Sequence, residues 1–378
     1  MRGLALALRS GAVVAAFMVV LALVIDRPSE PVQARPAPAT AAKPTVPKKA
    51  TPAKAAPSVP PGVVTITAVG DIVMGSIPKL PPNGGRTFFD RVDTDLAADV
   101  VLGNLEGTLT TATGSKCSAK SKNCFAFRTP PSYARHLRDA GFTVLNLANN
   151  HAFDFGEVGL GQTVAALDRA GLRHTGRPAE IAVQKVGRIK VAVVGFSTYP
   201  WANSMNDLGV VRREIARADK VADVVVVTAH MGAEGSNRQH VRPGTETFLG
   251  ENRGNPIRFA HAAVDAGADL VVGHGPHVLR GMEWRKGRLI AYSLGNFAGY
   301  GVFSLGGPLS TSGILRVTLG GGGGFETGLL VPTRLVGKGV PALDPAERAH
   351  GIVRELSRAD FGRRGVRVSP NGALGRAR

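Results

Sequence analysis

Residues 63–71 read VVTITAVGD, a run of apolar and β-branched side chains closed by a glycine and a carboxylate. A continuous run of this kind, bounded by turn residues, fits a strand buried on both faces. The form recurs in ADVVLG ahead of Asn104, FTVLNLA ahead of Asn149, ADVVVVTA ahead of His230 and ADLVVG ahead of His274, with IKVAVVGF and RLIAYSLG beside them. Helical patterns separate several runs, over Ser132–Ala140, Glu157–Ala170 and Pro256–Ala266, the last two stopped by Gly171 and Gly267. Alternating strands and helices predict an α/β fold. GILRVTL and TGLLVPTRLV, joined across a glycine run, predict an antiparallel hairpin closing the sheet edge.

The residues at the carboxyl end of each run carry the chemistry. The strands deliver Gly70-Asp71, Asn104-Leu105-Glu106, Asn149-Asn150-His151, His230-Met231-Gly232 and His274-Gly275-Pro276-His277. Loops at the carboxyl ends of strands form the ligand crevice of an open α/β sheet, so these groups share one rim. Taken singly, a Gly-Asp is a turn and an Asn-Asn-His is a helix cap. Taken together, carboxylates and imidazoles on rigid strand ends suit Mn²⁺, Fe or Zn²⁺, in numbers that exceed the need of one ion. A pair of divalent metal ions bridged by a carboxylate is the natural arrangement. No G-x-S-x-G elbow, phosphate loop or dinucleotide-binding glycine pattern follows any strand.

The chain has 378 residues and a formal net charge of +18, which favours anionic partners. Aromatic residues are 6% with no basic-aromatic ladder, so nucleic acid is not among the expected partners. Arg2 and Arg9 precede an apolar run, Gly11–Ile25, short of the roughly 20 residues a spanning helix needs but extendable through Leu4–Leu8. Both a retained anchor and a cleaved signal peptide fit; the first cleavage-type site, near Ala34, lies far beyond the run and favours the anchor. The expected organisation is a cytoplasmic N-terminus (1–10), a signal anchor or signal peptide (11–26), a Pro/Ala/Lys-rich linker (27–62), a folded domain (63–337) and a basic, peripheral C-terminal tail (338–378) with one surface helix. The location so implied is the cell membrane, single-pass with an extracytoplasmic domain, or secretion after cleavage. Cys117 and Cys124 pair in an oxidising compartment and stay free thiols in a cytosol; export favours the disulfide.

The blocks TITAVGDIVMG, GNLEG, NLANNHAFDFG, HMGAEG, GHGPHVLRG and RLIAYSLGNF, in this order between Val63 and Tyr300, resemble the signature of the bacterial CapA family of poly-γ-glutamate capsule synthesis proteins, relatives of calcineurin-like metallophosphoesterases. The resemblance implies a four-layer αββα sandwich of metallophosphatase type with a binuclear site. It assigns Asp71, Glu106, Asn150, His230, His274 and His277 as metal ligands and His151 as the non-ligand histidine that assists the leaving group. Glu234 is a candidate base or orienting group, and Asn296 a residue holding the adjoining loop. The pattern departs from the phosphoesterases where Ile72-Val73 follows Asp71 in place of x-His, and at the last motif, where one residue is added and Gly275 replaces a histidine common in CapA relatives. The implied function is metal-assisted hydrolysis or transfer on an anionic envelope polymer, alongside polymer-synthase subunits. A non-catalytic polymer-binding or scaffold subunit and a generic metallophosphoesterase are the alternatives.

Overall fold

The computed structural model describes residues 62–118, 120–121 and 124–376. The expectations for residues 1–61, the leader and most of the linker, lie outside it. Among the described residues no helix is long and apolar enough to cross a membrane.

The apolar runs form two sheets. In the first, Val340–Leu343, Phe325–Val336, Thr311–Gly320, Val63–Val73, Val100–Leu105, Val144–Asn146 and Arg173–Thr175 lie side by side in that order, and Asn296–Gly299 pairs with the end of Val63–Val73. The second runs Met282–Arg285, Arg288–Ala291, Leu270–His274, Val224–His230, Ile189–Ser197 and Ala182–Val186. Alternate residues of each central strand point between the sheets: Val64, Ile66, Ala68, Val100 and Leu102 meet Val191, Val193, Val224, Val226 and Val272 in one apolar layer. The other faces are covered by helices, Ala134–Asp139 and Gly156–Arg169 over the first sheet, Leu208–Asp219 and Pro256–Asp265 over the second. The result is the αββα sandwich expected. Helix Leu208–Asp219, which the apolar pattern alone did not single out, is capped by Asp207 accepting from the amides of Gly209 and Val210.

Register brings the strand ends level. Asp71 lies opposite Asn104 and Asn296 in the first sheet, and Ser197, His230 and His274 lie in one row of the second. Gly70 is required here: a Cβ on it would fall 1.8 Å from the Gly295 carbonyl oxygen, which accepts from the Asp71 amide at 3.0 Å.

Two expectations need correction. The glycine-joined hairpin forms, Thr311–Gly320 antiparallel to Phe325–Val336, but it does not end the sheet; Thr311–Gly320 adds antiparallel to Val63–Val73, and the edge is Val340–Leu343, inside the stretch read as tail. Residues 338–376 are not peripheral either. Helix Arg348–Phe361 buries Ala349, Val353 and Phe361, and the hairpin Val366–Val368/Leu374–Arg376 adds Val366 and Val368 to the inter-sheet layer. The Trp284 indole donates to the Gly375 carbonyl at 2.9 Å. A high Arg content disguised an amphipathic helix, because long basic side chains occupy only its outer face.

Deleting Val366–Arg376 removes Val366, Val368 and Leu374 from the core, at about 1.5–3 kcal/mol per side chain; the urea midpoint should fall sharply, and an unchanged midpoint would show that the hairpin adds nothing. Away from the strand ends, His174 lies 2.9 Å from Glu180 and 3.2 Å from Asp168. Burial opposes its charge, but Glu180 and then Asp168 outweigh it and raise its pKa above the usual 6.5. A raised folded-state pKa stabilises fully below the unfolded value, and that stability fades as pH rises through the folded value. The stability gap between wild type and His174→Gln should therefore be widest below pH 6.5 and shrink toward alkaline pH, as followed by urea melts; a gap that grows with pH would contradict the pairing.

Candidate metal centre

At the level strand ends, side chains from both sheets meet. Asp71 is fully buried; its Oδ1 accepts from Asn104 Nδ2 at 2.8 Å and its Oδ2 lies 3.0 Å from His277 Nδ1. Asn104 also places Nδ2 3.2 Å from His230 Nδ1, and its Oδ1 accepts from Asn146 at 2.9 Å and Asn149 at 3.1 Å. One buried amide thus spaces a carboxylate of the first sheet and an imidazole of the second. Glu106, also fully buried, lies 3.8 Å from His230 Nε2 and 3.6 Å from His277 Nε2. Asp71, Glu106 and His230 offer ligand atoms all within 4.8 Å of one another. His277 is held at φ 61°, in the left-handed region that costs a non-glycine residue of order 1–3 kcal/mol, a distortion typical of functional positions.

Burial and close packing shift the titration of most of these groups. Burial pushes Glu106 well above the carboxylate range, and Asp71 and Glu234 push the same way. Burial also opposes the charge of His277, but Glu106 and Glu234 outweigh it and raise its pKa well above the usual 6.5. Asp71 is held below its usual value because His277 overcomes burial. Glu234 is brought down to about 2 against burial by His277 and Arg253. Burial, reinforced for His230 by Arg253, keeps His230 and His274 neutral, the latter at about 4. Both Glu106 oxygens, Asn150 Oδ1 and His274 Nδ1 are buried without a hydrogen-bond partner among the described residues. Unmet buried acceptors of this kind are what a divalent ion satisfies, and the oxygen and nitrogen donors fit one.

The remaining sequence-selected residues surround this group unequally. Asn150 reaches it through Glu234, with Nδ2 donating to Oε1 at 3.4 Å. His274 turns its Nε2 to the Thr228 hydroxyl at 2.9 Å, and its Nδ1 is the ring nitrogen without a partner among the described residues. His151 lies at the mouth, its Nδ1 2.9 Å from Asp154, and burial, partly offset by Asp154, lowers its pKa. Asn296 holds the neighbouring loop by donating to the Leu309 carbonyl at 3.1 Å. Cys117 and Cys124 form a disulfide. Beside it Lys116 donates to Asp154 at 2.7 Å and to the Asn150 carbonyl at 3.0 Å, so the disulfide loop is tied to the His151 pair. A cavity of about 240 Å³ opens over His151, Glu234 and His277 between Phe125, Phe127 and Phe303.

Sequence reading set Asn104 at a strand end without giving it a role, and passed over Asp154 and Arg253. Asn104 and Asp154 stand inside quoted motif blocks, where their neighbours drew attention. Arg253 lies in a polar loop, with no local signal.

An α/β sandwich whose two sheets bring buried carboxylates and imidazoles to one edge defines the general class. Residues 65–300 match the family "Bacterial capsule synthesis protein PGA_cap", and the chain belongs to that family. It is 34% identical over 255 residues to the PGA biosynthesis protein CapA of Bacillus subtilis (strain 168), covering 62% of this chain and 63% of that protein. It is also 34% identical over 258 residues to the capsule biosynthesis protein CapA of Bacillus anthracis, covering 62% and 59%. The chain therefore spans about three fifths of the length of these curated relatives. Among solved structures, a 5'-nucleotidase precursor from Thermus thermophilus aligns with 79% of this chain and 59% of that one, at 14% identity and a TM-score of 0.40.

Asn104→Ala would strip Asp71 Oδ1 of its donor and leave the Asn146 and Asn149 amides short of an acceptor. With each buried unpaired group costing about 1–3 kcal/mol, denaturant unfolding should show a loss of roughly 3 kcal/mol or more. A loss below about 0.5 kcal/mol would mean the amide holds nothing together.

Proposed function

We propose that this chain acts on an anionic, glutamate-type envelope polymer by metal-assisted hydrolysis or transfer, as an anchored extracytoplasmic protein beside polymer-synthase subunits. Family membership supports the polymer, as do the names of its relatives. The basic-apolar leader and Pro-rich linker support the tether, the disulfide supports an oxidising compartment, and the net charge of +18 supports capture of a polyanion. The observation that carries the chemistry is Glu106, fully buried with both oxygens unpartnered and facing Asp71 and His230.

Asp71, Glu106 and His230 would hold a divalent ion, with Asn150, His274 and His277 placed to complete its shell or that of a second; Mn²⁺, Fe and Zn²⁺ all suit the donors. Bound there, the ion would supply Lewis-acid polarisation of a carbonyl or phosphoryl oxygen. The chain's own side chains do the rest. Asp154 fixes the His151 tautomer with its proton on Nδ1, so Nε2 is left to take a proton and return it to a leaving group. Glu234, ionised and braced by Arg253, orients groups entering beside His277. Phe125, Phe127 and Phe303 narrow the entrance and limit water. A non-catalytic polymer-binding subunit is the second reading, favoured by the first motif, where Ile72 and Val73 are buried apolar residues in place of a further imidazole ligand.

Elemental mass spectrometry on the purified full chain should find about two equivalents of transition metal, reduced in Glu106→Gln. His151→Ala should keep its metal while cleavage of poly-γ-glutamate, read as chain length, slows by about 10²–10⁴-fold. Metal-free wild type that still binds the polymer would sink the catalytic reading and leave the second.

A further inference from the structure

Arg253 is the charged side chain that this chemistry leaves without a part of its own. It follows the short strand Glu251–Asn252, and its backbone is pinned on both sides: its amide donates to the Glu246 carbonyl at 2.9 Å and its carbonyl accepts from Gly232 at 2.8 Å. The residue is 1% exposed. Nη1 donates to Glu234 Oε1 at 2.5 Å and Nη2 to His230 Nε2 at 2.9 Å, while Nε has no partner among the described residues. A guanidinium sunk this deep answers to a local charge. Three buried or nearly buried carboxylates, Asp71, Glu106 and Glu234, face only His277 and Arg253 as cations among the described contacts.

The contact with His230 is the informative one. Nδ1 of that ring lies against Asn104, so Nε2 is the nitrogen turned toward Glu106, at 3.8 Å. A neutral imidazole has one acceptor lone pair, and two N–H donors compete for it here, Asn104 Nδ2 at Nδ1 and Arg253 Nη2 at Nε2, the nitrogen that a metal ion would also claim. Gly275 makes room for the donor: a Cβ there would sit 3.0 Å from His230 Nε2 and 3.2 Å from Arg253 Nη2, at a backbone φ of 109°. The glycine that replaces a histidine of the expected motif therefore opens the space that the guanidinium borders.

We propose that Arg253 is the resident counter-ion of this pocket. It holds His230 Nε2 and Glu234 in the ion-free chain, and it yields His230 to an arriving divalent cation, so its displacement sets the affinity for that ion. An arriving divalent charge makes the guanidinium surplus among the same carboxylates, which drives the exchange. The inference rests on the metal reading above.

The test is calorimetric titration of the chelator-stripped full chain with Mn²⁺ and with Zn²⁺, with thermal melts of the ion-free forms. Arg253→Gln should bind about tenfold or more tighter than wild type and melt lower without ion. Folded Arg253→Gln with equal or weaker affinity, while wild type binds, overturns this inference and leaves the metal reading standing. Binding by Arg253→Gln alone supports it. Binding by neither chain, both folded, removes the metal reading and this inference together. Should Arg253→Gln not fold, a crystal structure of wild type grown with Mn²⁺ decides: a broken Nη2–Nε2 contact supports displacement, and a preserved contact beside a bound ion refutes it.

Discussion

A carboxylate with no access to water must be paired or give up its charge, and Asp71 is such a group at the centre of this molecule. It ends the middle strand of the first sheet, and its partners arrive from elsewhere: Asn104 from the next strand and His277 from the loop beyond a strand of the second sheet. Asn104 reaches on toward His230. The two sheets share an apolar layer that by itself would tolerate sliding, since dispersion and apolar burial are not directional. The polar stitch at the strand ends removes that freedom, and the pocket geometry follows from it.

The residues around the pocket are held in two different ways. Asp71 and His230 stand on buried strands, and Glu106 directly follows another. His151, by contrast, depends on Asp154, which is gripped by Lys116 and by the Phe127 amide at 2.6 Å, both from the segment carrying the disulfide. Covalent closure of that loop keeps Lys116 and the Phe127 amide near the histidine they steady through Asp154. Trp201 adds a second brace, its indole donating to the Asn149 carbonyl at 3.0 Å while its ring stacks between Tyr199 and Phe153.

Membership of the capsule synthesis family accords with a pocket that is deep, acidic and aromatic-rimmed inside a chain of strongly basic net charge. Three of its carboxylates, Asp71, Glu106 and Glu234, gather around His277 in that pocket. Arg253 and His277 are the basic side chains paired with them.

Much of this was legible in the primary structure, because buried strands and the residues that end them are local patterns. VVTITAVGD and its counterparts announce buried strands of an α/β fold and the rim on which Asp71, Glu106, His151, His230 and His274 stand, while the sandwich was implied by the resemblance of the motif blocks. Tertiary structure alone decided the rest. Arg253 and Asn104 are ordinary polar residues until strands from two sheets close around them, and His274 gives its Nε2 to Thr228 on a neighbouring strand, a choice no spacing records. The Arg-rich final stretch enters the core because one face of its helix meets Met282 and Leu330, residues distant along the chain. Local periodicity encodes burial; which buried charge meets which is set by long-range pairing, and that exists only in the folded molecule.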